Sequence, residues 1–160
     1  MRPVQRKRNK AFSLLELVVV IVIIGIIAAI AIPRVSRGAA GAADSALIGD
    51  LAIMRNAIDL YAAEHNGSYP TVAAYSNQMT KYSDISGAVN TDGSKDSTHI
   101  YGPYLRKVPP LPTGTYANNT NIAAPAAVPP VAVVATGSIG WLYDATTGQV
   151  WANDINNLDK

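Results

Sequence analysis

Residues 7–33 read KRNKAFSLLELVVVIVIIGIIAAIAIP. Residues 17–32, sixteen in a row, carry no charge and no polar side chain, and Glu16 stands directly before them. Ahead of that lie five bases, Arg2, Arg6, Lys7, Arg8 and Lys10. Residues 12–32 would make about 31 Å of helix at a rise of about 1.5 Å per residue, which matches a hydrocarbon core of about 30 Å. Residues 18–24 are all β-branched and would suit a strand in water. In lipid a lone segment must satisfy its own backbone hydrogen bonds, so helix is the expected form. The leading bases outnumber Arg34 and Arg37 behind the run, which directs the N-terminus to the cytoplasm and the remainder outward. An acidic side chain costs about 2.5–3.5 kcal/mol at a bilayer centre and less near the interface, so Glu16 marks a function.

A secretory signal peptide is the competing reading, with Gly41-Ala42-Ala43 as its cleavage region. Such signals carry an apolar stretch of about 7–15 residues. Here the run is longer, Glu16 interrupts its front edge, and Arg34 and Arg37 crowd the cleavage region. A plain single-span anchor explains the length but gives Glu16 no role.

Beyond the run, Leu47, Leu51, Met54, Ile58 and Tyr61 recur at alternating spacings of four and three. That is one apolar face of a helix, with Ser45, Gly49, Asn56 and Asp59 falling to the other side. Asn66-Gly67 supplies residues that end helices in a left-handed conformation, and Pro70 blocks continuation. The expected helix spans residues 12–64, roughly 80 Å at about 1.5 Å per residue. Its weak points are Pro33 and the glycines at 38 and 41.

Residues 71–82 predict a short second helix, with Ala73, Ala74 and Met79 apolar. Residues 83–98, rich in Gly, Asp and Ser, predict a loop, and residues 117–135, dominated by Ala, Pro, Val and Asn, predict an irregular excursion. Residues 139–143 and 149–152 are β-prone, and Asp144-Ala145-Thr146-Thr147-Gly148 between them suits a hairpin loop. Trp141, Tyr143 and Trp151 are expected to pack as core on the long helix rather than to serve as a ligand platform. About ninety residues of head is small for independent stability, so the helix must supply part of the core.

The chain has 160 residues, enough for one domain, and no cysteine. Five of its thirteen bases precede residue 12, so residues 12–160 hold eight bases against eleven acids, a net of −3. The basic balance therefore belongs to the first eleven residues and does not indicate nucleic-acid binding, which wants a basic patch on the folded domain. No Walker loop, GxSxG, HExxH or cysteine-based metal pattern is present. His65 and His99 are isolated and read as solvated or capping residues. Asp92-Gly93-Ser94-Lys95-Asp96 lacks the spacing and final Glu of an EF-hand loop. Asn66-Gly67-Ser68 and Asn118-Asn119-Thr120 match the glycosylation sequon.

Lys10-Ala11-Phe12-Ser13-Leu14-Leu15-Glu16-Leu17 resembles the class III prepilin signal of type IV pilins and type II secretion pseudopilins. The resemblance implies that a prepilin peptidase cuts between Ala11 and Phe12 and N-methylates Phe12. It implies that Glu16 is the family's assembly glutamate and Pro33 its helix-kinking proline. Ala11 departs from the usual Gly at the cut. Tyr61-Ala62-Ala63-Glu64-His65-Asn66-Gly67-Ser68-Tyr69-Pro70 resembles the helix-end signature of pseudopilins, and Tyr101-Gly102-Pro103-Tyr104-Leu105-Arg106-Lys107-Val108-Pro109 resembles a stretch of the major ones. Many type IV pilins close their C-terminal region with a disulfide, which a chain without cysteine cannot do; this tilts the comparison toward major pseudopilins. Those bind calcium in C-terminal loops, and Asp92, Asp96, Asp144 and Asp154 are the candidate ligands, each weighed against a solvated loop acid.

The expected fold is α+β, a long N-terminal α-helix packed on a small C-terminal antiparallel β-sheet head, pilin-like. Its expected divisions are a leader at 1–11, a membrane and filament-core helix at 12–33, an amphipathic helix at 34–66 and a head at 67–160. The expected function is that of a non-enzymatic filament subunit, held in the inner membrane by a single pass with its head outside. The resemblance implies as partners further copies of the chain, a prepilin peptidase, an assembly ATPase and platform in the inner membrane, and minor pseudopilins. The rivals are a type IV pilus subunit for adhesion, motility or DNA uptake, and a secreted or membrane-anchored soluble enzyme.

Overall fold

A computed structural model describes residues 12–135 and 137–160. Along the chain come α1 (Leu14–Glu64), α2 (Tyr75–Thr80), β1 (Asn121–Ala123), β2 (Ile139–Asp144) and β3 (Gln149–Ala152). The chain divides into two compact units, one up to Gly41 and one from Ala42 to Lys160, and α1 contributes to both. The expected start at residue 12 moves to Leu14 because the Ser13 carbonyl accepts the first helical bond, from Leu17 N–H at 3.1 Å.

In the first unit the described residues from Leu14 on are helix, and every large apolar side chain from Phe12 to Ile32 is exposed, none below 41%. Leu14–Ile32 is long and apolar enough to cross a membrane.

In the second unit the expected stripe is the core. Leu47, Leu51, Met54, Ile58 and Tyr61 are all buried, against Tyr75, Met79, Leu111, Trp141, Tyr143 and Val150. The helix stops where Asn66 and Gly67 both take positive φ, 57° and 79°, and Gly67 N–H bonds back to the Ala62 carbonyl at 2.8 Å. α2 is shorter than the expected 71–82. Thr71 turns the chain ahead of it, its hydroxyl accepting from Ala74 N–H at 3.3 Å, and Lys81 is extended behind it. The segment 101–109 docks on α2 through Met79, whose carbonyl accepts from both Tyr104 and Leu105 N–H at 2.9 and 2.8 Å.

The sheet corrects the antiparallel expectation. The β2–β3 hairpin is antiparallel as expected, pairing Trp141 with Ala152 and Tyr143 with Val150. Gly148 (φ +72°) closes its turn, donating its N–H to the Asp144 carbonyl at 2.9 Å. β1, inside the segment read as irregular, pairs with β2 in parallel, so the sheet is mixed, in the order β1-β2-β3. Parallel neighbours need a long crossover. Here its described residues include no helix, and Asn153 holds them: its side chain accepts from Val134 N–H at 2.8 Å and donates to the carbonyls of Val134 and Ile139 at 3.0 Å each. A Cβ at Gly140 would overlap the Asn119 carbonyl, so only glycine lets the chain before β1 approach β2 this closely.

Candidate processing and assembly site

Phe12 and Ser13 precede α1, and Glu16 lies in its first turn. A helix N-terminus carries about half a positive elementary charge in unsatisfied N–H groups, which favours a carboxylate there. The Glu16 side chain is exposed, and among the described residues nothing pairs with it. Ala11, the other half of the expected cut, and the bases before it lie outside the described residues. Pro33 falls inside α1, and the backbone is helical through residues 30–41. Phe12 thus stands just ahead of the helix and Glu16 in its first turn, with the large apolar side chains behind them exposed.

The four candidate calcium ligands are not gathered. Among the described residues no group of three His, Cys, Asp or Glu side chains is placed to hold a metal ion. Each acid instead organises its own turn. Asp92 accepts from Ser94 N–H and Ser94 hydroxyl, both at 2.7 Å, and the Ser94 backbone bond first of all pulls its carboxyl below the usual range. Asp96 accepts from the N–H groups of Thr98 and His99 and meets the His99 ring at 2.9 Å. The His99 backbone bond leads in lowering Asp96 to about 2. Asp144 takes the Thr147 hydroxyl at 2.7 Å, which leads in lowering it, and Thr146 N–H at 3.0 Å. Asp154 is buried and accepts from the Asn157 amide at 2.5 Å.

Of the two readings of His65, solvated or capping, burial removes the first, and its ring meets a last-turn carbonyl of α1. His65 is 1% exposed, with Nδ1 2.8 Å from the Tyr61 carbonyl and Nε2 3.0 Å from Ser83 Oγ. A carbonyl only accepts, so Nδ1 donates to Tyr61, and the Ser83 hydroxyl, which can donate or accept, meets Nε2. Its ring stacks on Tyr61 at 3.8 Å. Beside it the Tyr104 hydroxyl donates to Glu64 at 2.6 Å, and burial, ahead of that carboxylate, pushes the Tyr104 phenol far up. Ser83 and Tyr101 exchange backbone bonds at 3.0 and 3.1 Å, so this cluster pins both ends of the 83–101 loop to the end of α1.

Sequence reasoning missed three ties in the second unit. They are the Asn153 clamp, the Arg55 guanidinium on the carbonyls of Val150 and Lys160, and the Lys160–Asp44 ion pair. All join residues distant in the chain and leave no periodic signal.

Comparison with curated proteins found no match, and comparison with solved structures found none either. Residues 6–32 match the family model described as the prokaryotic N-terminal methylation motif, spanning the basic leader, Phe12, Glu16 and the apolar run. The chain therefore carries the class III signal of type IV pilins and pseudopilins, followed by an α+β fold of pilin-like kind.

Proposed function

We propose that this chain is a pilin-like filament subunit of the pseudopilus of a type II secretion system, processed between Ala11 and Phe12 and N-methylated at Phe12. The observation that carries the filament reading is the helix Leu14–Ile32, apolar on all sides, with one carboxylate at its mouth. Such a helix cannot leave lipid for water, but it can move from lipid into a bundle of identical helices. Glu16 is tolerable in that bundle when the N-terminal ammonium of a neighbouring Phe12 pairs with it; a buried carboxylate left alone would be strongly unfavourable. The methylation motif implies a prepilin peptidase and filament assembly in general. The cysteine-free composition and the two stretches at 61–70 and 101–109 favour the pseudopilus over the pilus. An inner-membrane assembly ATPase and platform and minor pseudopilins complete the proposed set of partners.

Pro33 removes one helical hydrogen bond and crowds the preceding turn, a cost of about 3 kcal/mol in a regular helix. We place the opening of α1 on assembly at residues 30–41. A straight, fully bonded helix there in the assembled filament would contradict this.

Co-expression with a prepilin peptidase, followed by intact-mass measurement, tests the reading. A methylated terminus at Phe12 is expected. A mature start at Asp44 would mean signal-peptidase cleavage and would overturn it. Ala11→Gly should be cut at least as well as wild type, and a bulky residue at that position should block the cut. Deleting the secretion platform genes should abolish sheared filaments; filaments that persist would assign the chain to a pilus instead.

A further inference from the structure

Asn66 is the one asparagine of the chain that a glycine follows. A side chain on the following residue would shield the main-chain nitrogen between the two. Glycine leaves that nitrogen open, and a Cβ at Gly67 would meet nothing within 4 Å. Asn66, Gly67 and Ser68 are all exposed, so water reaches the site. The side-chain amides of Asn90, Asn119, Asn153 and Asn157 are each held by a hydrogen bond, whereas among the described residues none holds that of Asn66.

This arrangement supports an intramolecular reaction. The Gly67 nitrogen gives its proton to base in the solvent and attacks Cγ of Asn66. The N–Cγ bond forms, the Cγ–Nδ2 bond breaks, and ammonia leaves with a proton taken from solvent. Water then opens the cyclic imide at either carbonyl. One opening leaves aspartate; the other leaves isoaspartate, with the main chain running through the side-chain carbons.

The fold holds this reaction back. Gly67 N–H donates to the Ala62 carbonyl at 2.8 Å, which keeps the proton in place while the helix stop is intact. Helix ends open locally before the whole domain unfolds, and the nitrogen is then free. Aspartate at this position sets a second carboxylate near Glu64 at the negative end of α1. Isoaspartate adds a methylene to the main chain, and the return bond from Gly67 to Ala62 loses its register. Either product weakens the stop that had protected the site. His65 and Ser83 carry that change to the 83–101 loop pinned beside it.

We propose that Asn66 is a self-modifying site, converted with water to aspartate and isoaspartate when the end of α1 opens, and that the conversion is a one-way release of that helix end. The site lies wholly in the second unit, and its chemistry holds whether or not the chain assembles.

The test follows the full chain, purified in detergent and incubated in mild alkali with and without urea. Peptide mapping and enzymatic methylation of isoaspartate read the product. In urea Asn66 should convert. In the folded chain conversion should be at least about tenfold slower, as for a stop that is open less than about a tenth of the time. Tyr104→Phe frees Glu64 in the last turn of α1 without changing the sequence around Asn66, so it should speed the folded reaction and leave the rate in urea unchanged. Ser83→Ala, which frees His65, is the second such variant if the first does not fold. Asn66→Gly keeps the positive φ of the stop and removes the amide. It should form no product there and keep its protease resistance through an incubation in which wild type loses it. Equal rates in the folded and unfolded chain overturn the inference, as does a folded rate that neither loosening variant raises. Product at other asparagines but not at Asn66 also overturns it, and wild-type protease resistance that survives full conversion overturns the one-way release.

Discussion

The two parts of α1 differ in one respect that governs the rest. Leu14–Ile32 exposes every large apolar side chain it has, whereas residues 47–61 bury one stripe against α2 and the sheet. A helix in water gains most of its stability from an amphipathic face that packs. The second part has that face and owes its stability to the chain's own core. The first has no such face, and its stability must come from lipid or from other copies. Mutations in the two parts should therefore be read by different measurements.

The largest effect is expected at Glu16. Glu16→Val should insert, be cleaved and fold its head as wild type does, because no hydrogen bond or ion pair ties Glu16 to the described chain. Filaments should be lost, since the charge opposite a neighbouring Phe12 terminus is gone. Sheared-filament yield measured beside peptidase processing in the same cells decides it, and wild-type yield would refute the role.

Truncating the core stripe should invert that pattern. Ile58→Ala should lower the stability of the head by about 2–5 kcal/mol, as a buried large-to-small change does. Ile23→Ala, on the fully exposed stretch, should leave head unfolding in detergent unchanged. Equal losses from both would erase the distinction between the two parts.

A smaller effect is expected at the end of α1. Tyr104→Phe removes the hydroxyl that donates to Glu64 and should cost about 1.5–3 kcal/mol, the usual range for a bond to a charged group. Thermal unfolding of wild type, Tyr104→Phe and Glu64→Gln would check it. If the loss in the double variant equals the sum of the two single losses, the pair is not coupled.

The smallest effect concerns pH. Asp96 and Asp144 are both held below the usual carboxylate range in the folded chain, Asp96 at about 2. A lowered folded-state value means stability present above the unfolded value of about 3.9 and lost as pH falls through the folded one. Head stability should thus decline between about pH 4 and pH 2. Asp144→Asn should flatten that decline slightly while leaving stability near neutrality close to that of Asp144→Ser, which keeps a short acceptor. A steeper acid limb in Asp144→Asn would show the sign to be wrong.

What could be read in advance follows the range of the forces involved. The apolar run, Glu16, the 47–61 stripe, the Asn66-Gly67 stop and the 139–152 hairpin are local or periodic, and each residue announces its role to near neighbours in the chain. Their identities alone determined a membrane-length helix, an amphipathic continuation and a small β head. Tertiary structure decided what depends on distant partners. The three residues of β1 are too few to show a strand period, and their parallel pairing depends on the Asn153 clamp and on the space left at Gly140. A lone histidine carries no pattern that separates the solvated from the capping reading of His65; Ser83, Tyr101 and Tyr104 around it come from other segments. The candidate ligands Asp92, Asp96, Asp144 and Asp154 share a residue type, but gathering them requires loop paths that composition does not encode, and each loop turned its carboxylate onto its own backbone or amide donors.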